Sequence, residues 1–133
     1  MKKVTIAAAL LMAISLLVAC SGKDEGASGQ PWNVVTPQEL SDMMASQDIY
    51  LVNVHVPVEG EIPGTDADIA YTEIASRIGE LPTTGTPKLV IYCRSGNMSN
   101  MAAQDLVKAG VTDFSELQGG YDAWRAAGLP FNA

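Results

Sequence analysis

The sequence predicts one α/β domain: a small, largely parallel sheet with helices on both faces. Three observations carry that expectation. Short β-rich apolar runs alternate with stretches of helical spacing. Capping and stop residues stand at most of the junctions between them. The alternation repeats along the chain, the pattern of parallel strands joined by crossover helices.

Taken in order, Asn33-Val34-Val35 reads as a short first strand. Thr36-Pro37-Gln38-Glu39 is a capping box with Pro at the first helical position, opening a helix to about Ser46. Residues 49–54 (IYLVNV) suit a buried strand. A Pro/Gly segment covers residues 57–64. Residues 71–81 place Ile74, Ile78 and Leu81 at helical spacing, and Pro82 stops them. After Pro87, residues 88–93 (KLVIYC) form the clearest buried strand. Residues 99–109 read as a helix with Ala102, Leu106 and Ala109 inward, ended by Gly110. Residues 114–117 give a weak strand, Gly119-Gly120 a tight turn, and residues 121–127 a short helix closed by Gly128.

Ahead of this domain, Lys2 and Lys3 precede an apolar run over residues 4–19, broken only by Thr5 and Ser15. The run ends in Leu17-Val18-Ala19-Cys20, which resembles the lipobox of bacterial lipoprotein signal peptides. Its length falls short of the roughly 20 apolar residues of a spanning helix; an uncleaved anchor helix is the alternative. Three segments are therefore expected. Residues 1–19 form a signal peptide, residues 20–30 a lipidated Cys20 with a flexible Gly/Ser-rich tether, and residues 31–133 the folded domain.

Removing 19 residues from 133 leaves 114, room for one domain. Loss of Lys2 and Lys3 takes the formal net charge from −7 to −9. Such a surface repels nucleic acid and anionic lipid, so membrane attachment falls to acyl chains on Cys20. Lipidation consumes one of the two cysteines, leaving Cys93 unpaired. A disulfide-stapled fold and a CxxC redox site are excluded, and a single His puts a Cys/His zinc site out of reach. No metal or cofactor is expected.

Cys93 closes a buried strand and is followed by Arg94-Ser95-Gly96-Asn97-Met98-Ser99, a polar, Gly-containing turn that leads into a helix. Ligands of open α/β sheets bind at the carboxyl ends of strands. A turn there aims backbone N–H groups at one point, and the helix adds the positive end of its dipole. Thiolates and persulfides are anions of the kind such a turn stabilises, so the expected chemistry is nucleophilic attack by sulfur. The alternative is a buried structural Cys.

Three segments resemble the signatures of rhodanese-like domains. Leu51-Val52-Asn53-Val54-His55 with Ile62-Pro63-Gly64-Thr65 is similar to the first signature, and Tyr92 to Ser99 (YCRSGNMS) to the active loop. Leu117 to Trp124 (LQGGYDAW) is similar to the closing motif. They occur in the family's order, and the resemblance covers roughly residues 34–130. The resemblance implies a three-layer α/β/α fold and a sulfurtransferase. Cys93 would take sulfane sulfur from a donor such as thiosulfate and pass it as a persulfide to cyanide or a thiol. Arg94, Ser95, Gly96, Asn97, Met98 and Ser99 would bind the substrate.

Several positions depart from the pattern. Met98 stands where many such loops carry Arg, and Asn97 where related loops carry a basic residue, leaving Arg94 as the loop's one cation. Asn53, His55 and Glu61 replace the family's usual Asp, Arg and His; these positions are expected to hold the scaffold. Phosphatases of similar fold need an Arg at the place of Ser99, so phosphoryl transfer is rejected.

His55 is expected to be a hydrogen-bonded structural or surface residue, Trp32 and Trp124 packing residues, and Met43, Met44 and Met101 core gap-fillers. The carboxylates show no paired spacing and read as solvated. The first functional expectation is thus a lipid-anchored extracytoplasmic sulfurtransferase. The others are a non-catalytic module binding a protein or sulfur species, and a thiol redox sensor. The expected partners are a small sulfur substrate, a possible protein acceptor and the membrane through Cys20. Ser21 suggests the periplasmic face of the outer membrane, or the cell surface in a single-membrane organism.

Overall fold

A computed structural model describes residues 29–133. The leader and Cys20 lie outside the described residues. Five strands form one parallel sheet in the order β1-β5-β4-β2-β3. They are β1 (Asn33–Val35), β2 (Ile49–Asn53), β3 (Ala67–Asp68), β4 (Lys88–Tyr92) and β5 (Phe114–Leu117). Helices α1 (Pro37–Ser46) and α3 (Gly120–Ala126) pack together on one face. Helix α2 (Asn97–Lys108) and a 3₁₀ segment, Ile74–Glu80, pack on the other. The result is the expected three-layer α/β/α arrangement. Among the described residues no helix is long and apolar enough to cross a membrane.

The local signals explain most of this. Thr36 accepts a hydrogen bond from the Glu39 N–H while the Glu39 carboxylate accepts one from the Thr36 N–H, so the capping box is formed and α1 starts at Pro37. β4 lies at the centre of the sheet, paired to β2 and β5, and four of its five residues are buried. Its alternating side chains feed two cores. Leu89, Ile91 and Cys93 join Trp32, Val54, Ala102 and Leu106 under α2, whereas Val90 and Tyr92 join Leu40, Ile62, Leu117 and Trp124 under α1 and α3.

Five details differ from the sequence reading. Within residues 71–81 only Ile74–Glu80 are helical, as a 3₁₀ segment with a kink at Arg77 rather than a regular helix. Helix α2 begins at Asn97, two residues early, and Ala109 is exposed beyond its end. Two-residue β3 was not expected; its pairing with β2 is helped by Asp66, whose carboxylate accepts the Leu51 N–H at 2.8 Å. Met101 is 47% exposed, because it lies on the outer face of α2, while Met43 and Met44 pack against the α1 core. Finally, Glu116 is buried: β5 is flanked by β1 and β4, and all four of its residues are covered.

Candidate active site

Cys93 sits immediately after β4, with α2 beginning four residues later. It is 1% exposed, on the α2 side of the sheet. The Gly96 N–H points at Cys93 Sγ, 3.0 Å away. Gly96 makes that approach with φ at +104°, a conformation that side-chain-bearing residues rarely adopt. Ser99, in the first turn of α2, places Oγ 3.3 Å from Cys93 Sγ, 3.2 Å from the Gly96 carbonyl and 2.7 Å from Glu116 Oε1. Trp32 Nε1 donates to the other Glu116 oxygen at 2.9 Å. The thiol therefore lies in a pocket of polar partners, unlike a Cys buried only among apolar side chains. Beside the loop runs an open groove of about 640 Å³ lined by Ser95, Gly96, Asn97, Asn100, Met101 and Gly119, among others.

The loop is clamped from the opposite side. Tyr121 and Asp122 N–H groups donate to the Cys93 and Arg94 carbonyls, both at 2.9 Å, so the first turn of α3 fixes the backbone at Cys93. Gly120 stands at the contact with φ at +61°; a β-carbon there would collide with both carbonyls. This explains Gly120 of the closing motif; at Gly119, with φ at +73°, a β-carbon would instead collide with Ala123.

The expected substrate-binding residues divide between two faces. Gly96 and Ser99 touch Cys93, while Ser95 and Asn97 are exposed on the groove and Met98 packs partly against the α2 core. Arg94 points to the α3 side. It pairs with Glu59 at 3.1 Å and Asp122 at 3.6 Å, with its side chain 54% exposed. The loop's one cation is thus already engaged by two carboxylates, away from the sulfur. Glu59 Oε2 also lies 3.0 Å from His55 Nε2 and accepts from Tyr121 Oη at 3.3 Å. Contact with His55, aided by Arg94, holds the Glu59 carboxyl below its ordinary range despite some opposing desolvation.

The three departures in the first signature are scaffold contacts, as expected. Asn53 accepts the His55 N–H at 3.0 Å and donates to the Gly60 carbonyl; His55 meets Glu59; Glu61 shares a hydrogen bond with Asp68 that, with desolvation, raises its carboxyl above the usual range. Sequence reasoning missed Glu116 and Trp32 as neighbours of the thiol. A signal existed for the first: a Glu inside the apolar frame of Phe114 and Leu117, where a strand was expected.

A Cys at a strand end, a Gly turn and a clamping Gly-Gly helix define a class of α/β domains with a cysteine loop. The comparisons give the family. The rhodanese-like domain model matches residues 36–127, and the chain belongs to that family. A sulfurtransferase of Allochromatium vinosum is 34% identical over 105 residues, covering 76% of this chain and 95% of that protein. An uncharacterized Synechocystis protein is 36% identical over 107 residues, covering 78% of this chain and 59% of its own length. The chain spans only 26% of the probable adenylyltransferase/sulfurtransferase MoeZ of Mycobacterium tuberculosis, at 34% identity over 76% of this chain. Among solved structures, the rhodanese-like domain of an Anabaena protein superposes with a TM-score of 0.65 at 22% identity, covering 78% of this chain and 80% of that one. The family thus carries sulfurtransferase relatives, with sulfur-containing substrates.

Proposed function

We propose that this protein is a sulfurtransferase working through a Cys93 persulfide, held outside the cytoplasm by lipid on Cys20. The observation that carries the reading is the Gly96 N–H at 3.0 Å from Cys93 Sγ, in a loop whose backbone is fixed by α3. With thiosulfate as donor, the Cys93 thiolate attacks the outer sulfur. A sulfur–sulfur bond forms, the donor's own bond breaks, and sulfite leaves with the electron pair. Cyanide or a thiolate then attacks the terminal sulfur of the persulfide, and the pair returns to Cys93. The Gly96 N–H stabilises the anion throughout.

Lipid anchoring rests on the sequence: the basic start, the apolar run over residues 4–19 and Ala19-Cys20. The Gly/Ser-rich stretch after Cys20 then serves as a tether for the domain at residues 31–133, at the outer membrane or the surface of a single-membrane cell. Labelling of Cys20 with a radioactive fatty acid, lost in Cys20→Ala, tests this.

Catalysis is tested by cyanolysis with thiosulfate, comparing wild type with Cys93→Ala and measuring intact mass. Cys93-dependent thiocyanate release with a sulfur adduct on the wild type alone is expected. The paired state of Arg94 supports a second reading, a non-catalytic module that binds a protein or a sulfur species. No adduct and no turnover with thiosulfate, polysulfide or mercaptopyruvate decides for it.

A further inference from the structure

A line of polar contacts runs from the thiol into the sheet: Cys93 Sγ, Ser99 Oγ, Glu116 and Trp32 Nε1. Glu116 is 6% exposed. Among the described residues no Lys, Arg or His forms an ion pair with it. Its strand neighbours are Val34 on β1 and Ile91 on β4. Strand β1 has no titratable residue; β4 has Lys88 at its far end, paired with Asp113, Tyr92, whose side chain packs on the opposite face of the sheet with the α1 and α3 core, and Cys93 just beyond its near end. The buried residues of α2 are Ser99, Ala102, Ala103 and Leu106. The charged residues of α2, Asp105 and Lys108, pair with each other in its last turns, and Arg77 of the 3₁₀ segment pairs with Glu80. The ionisable group linked to Glu116 through hydrogen bonds is therefore the Cys93 thiol.

The hydroxyl between them has one proton, and two arrangements satisfy every group. In the first, the Ser99 hydroxyl donates to the Glu116 carboxylate and the Cys93 S–H donates to Ser99 Oγ. In the second, a protonated Glu116 donates to Ser99 Oγ, and the Ser99 hydroxyl donates to a Cys93 thiolate that also accepts the Gly96 N–H. The Trp32 bond to the second Glu116 oxygen is kept in both. Two uncompensated buried charges so close together are costly, so the pair favours holding one charge between them.

We propose that Glu116 is the internal proton acceptor of Cys93, the two groups sharing one proton through Ser99. The thiol proton passes to Ser99 Oγ as the Ser99 hydroxyl proton passes to Glu116 Oε1, so negative charge moves from carboxylate to sulfur and no proton leaves the protein. The reverse transfer reprotonates the thiolate released when a persulfide is discharged. Glu116 acts on the sulfur through Ser99 and is a positioning residue. Its functional meaning rests on Cys93 being the nucleophile, as proposed above, but its test needs no sulfur transfer.

The test is infrared titration of the purified protein without donor, following the thiol S–H stretch and the carboxylic C=O stretch in wild type, Glu116→Gln and Cys93→Ala. Strongly interacting groups titrate as a pair, in two macroscopic steps. In the wild type the S–H band is expected to fall in two steps separated by a plateau. Over that plateau an acid band absent from Glu116→Gln takes the complementary amplitude. Glu116→Gln reduces the S–H loss to one step; Cys93→Ala reduces the acid-band loss to one step, a second reading should the Gln variant fail to fold. Loss of the wild-type S–H band in a single step, wherever it falls, overturns the proposal. Failed cyanolysis with the two-step pattern intact removes the sulfurtransferase reading and leaves the shared proton standing.

Discussion

Gly120 and Cys93 meet backbone to backbone: the first residue of α3 lies against the Cys93 carbonyl with no room for a β-carbon. The neighbouring Tyr121 N–H bonds to that same carbonyl at 2.9 Å. The geometry of the loop is thus set by a helix whose own start depends on a missing side chain.

Gly120→Ala is expected to destabilise the protein by about 1–3 kcal/mol, combining strain at φ +61° with the collision. Denaturant unfolding measures the loss. Cyanolysis by the folded fraction should fall as well, since the Cys93 carbonyl must move.

Tyr92 offers a separate test at high pH. Its buried hydroxyl accepts the Ile62 N–H at 3.1 Å and donates to Thr65 Oγ1 at 2.6 Å, while Thr65 donates to the Ile62 carbonyl. Burial pushes the Tyr92 phenol up to about 12. The unfolded chain, with its phenol near the ordinary value of about 10, loses the proton first, so stability is full below about pH 10 and falls as pH rises toward 12. The loss amounts to roughly 2–3 kcal/mol. Tyr92→Phe should remove this contribution to the alkaline slope. At neutral pH it should cost about 1–3 kcal/mol, because the Ile62 N–H loses its partner. Unfolding curves from pH 8 to about 12 check both.

Arg94→Ala should change the KM for thiosulfate by less than roughly threefold. The guanidinium is exposed, held by Glu59 and Asp122, and lies on the opposite side of the loop from Sγ. A much larger rise in KM would show that Arg94 leaves its carboxylates to hold the donor.

Met98→Arg should lower that KM by roughly three- to tenfold, about 0.7–1.4 kcal/mol. Met98 lies in the first turn of α2, one residue before Ser99, and packs partly against the core beneath that helix. Steady-state kinetics with thiosulfate and cyanide measures the change, and an unaltered KM would show that charge at this position does not govern donor binding.

Legibility in the sequence followed the range of the interactions. Strand β4, the capping box of α1 and the order of the elements rest on local residue chemistry, so residues 33–46 and 88–93 could be read with little error. Strand β3 escaped because two residues carry no period, and the kink at Arg77 because Ile74, Ile78 and Leu81 satisfy a helical spacing that the 3₁₀ segment also serves. At the site, Cys93 and its Gly turn were legible as a motif. The direction of Arg94 and the burial of Glu116 were not, since each depends on partners 28 or more residues distant or on a strand inserted between two others. The same limit hid Trp32, which reaches Glu116 across 84 positions of chain.

The central place of β4 has a consequence for how long the thiol survives. Both edges of that strand are hydrogen-bonded, to β2 and to β5, so its amides should exchange with solvent deuterium only when the whole sheet opens. Fraying of the edge strands β1 and β3 leaves this ladder intact. An oxidant therefore gains access to Cys93 through excursions of the short turn above it, not through partial unfolding. The working lifetime of the thiol in oxidising surroundings is then governed by the stiffness of that turn rather than by the global melting temperature.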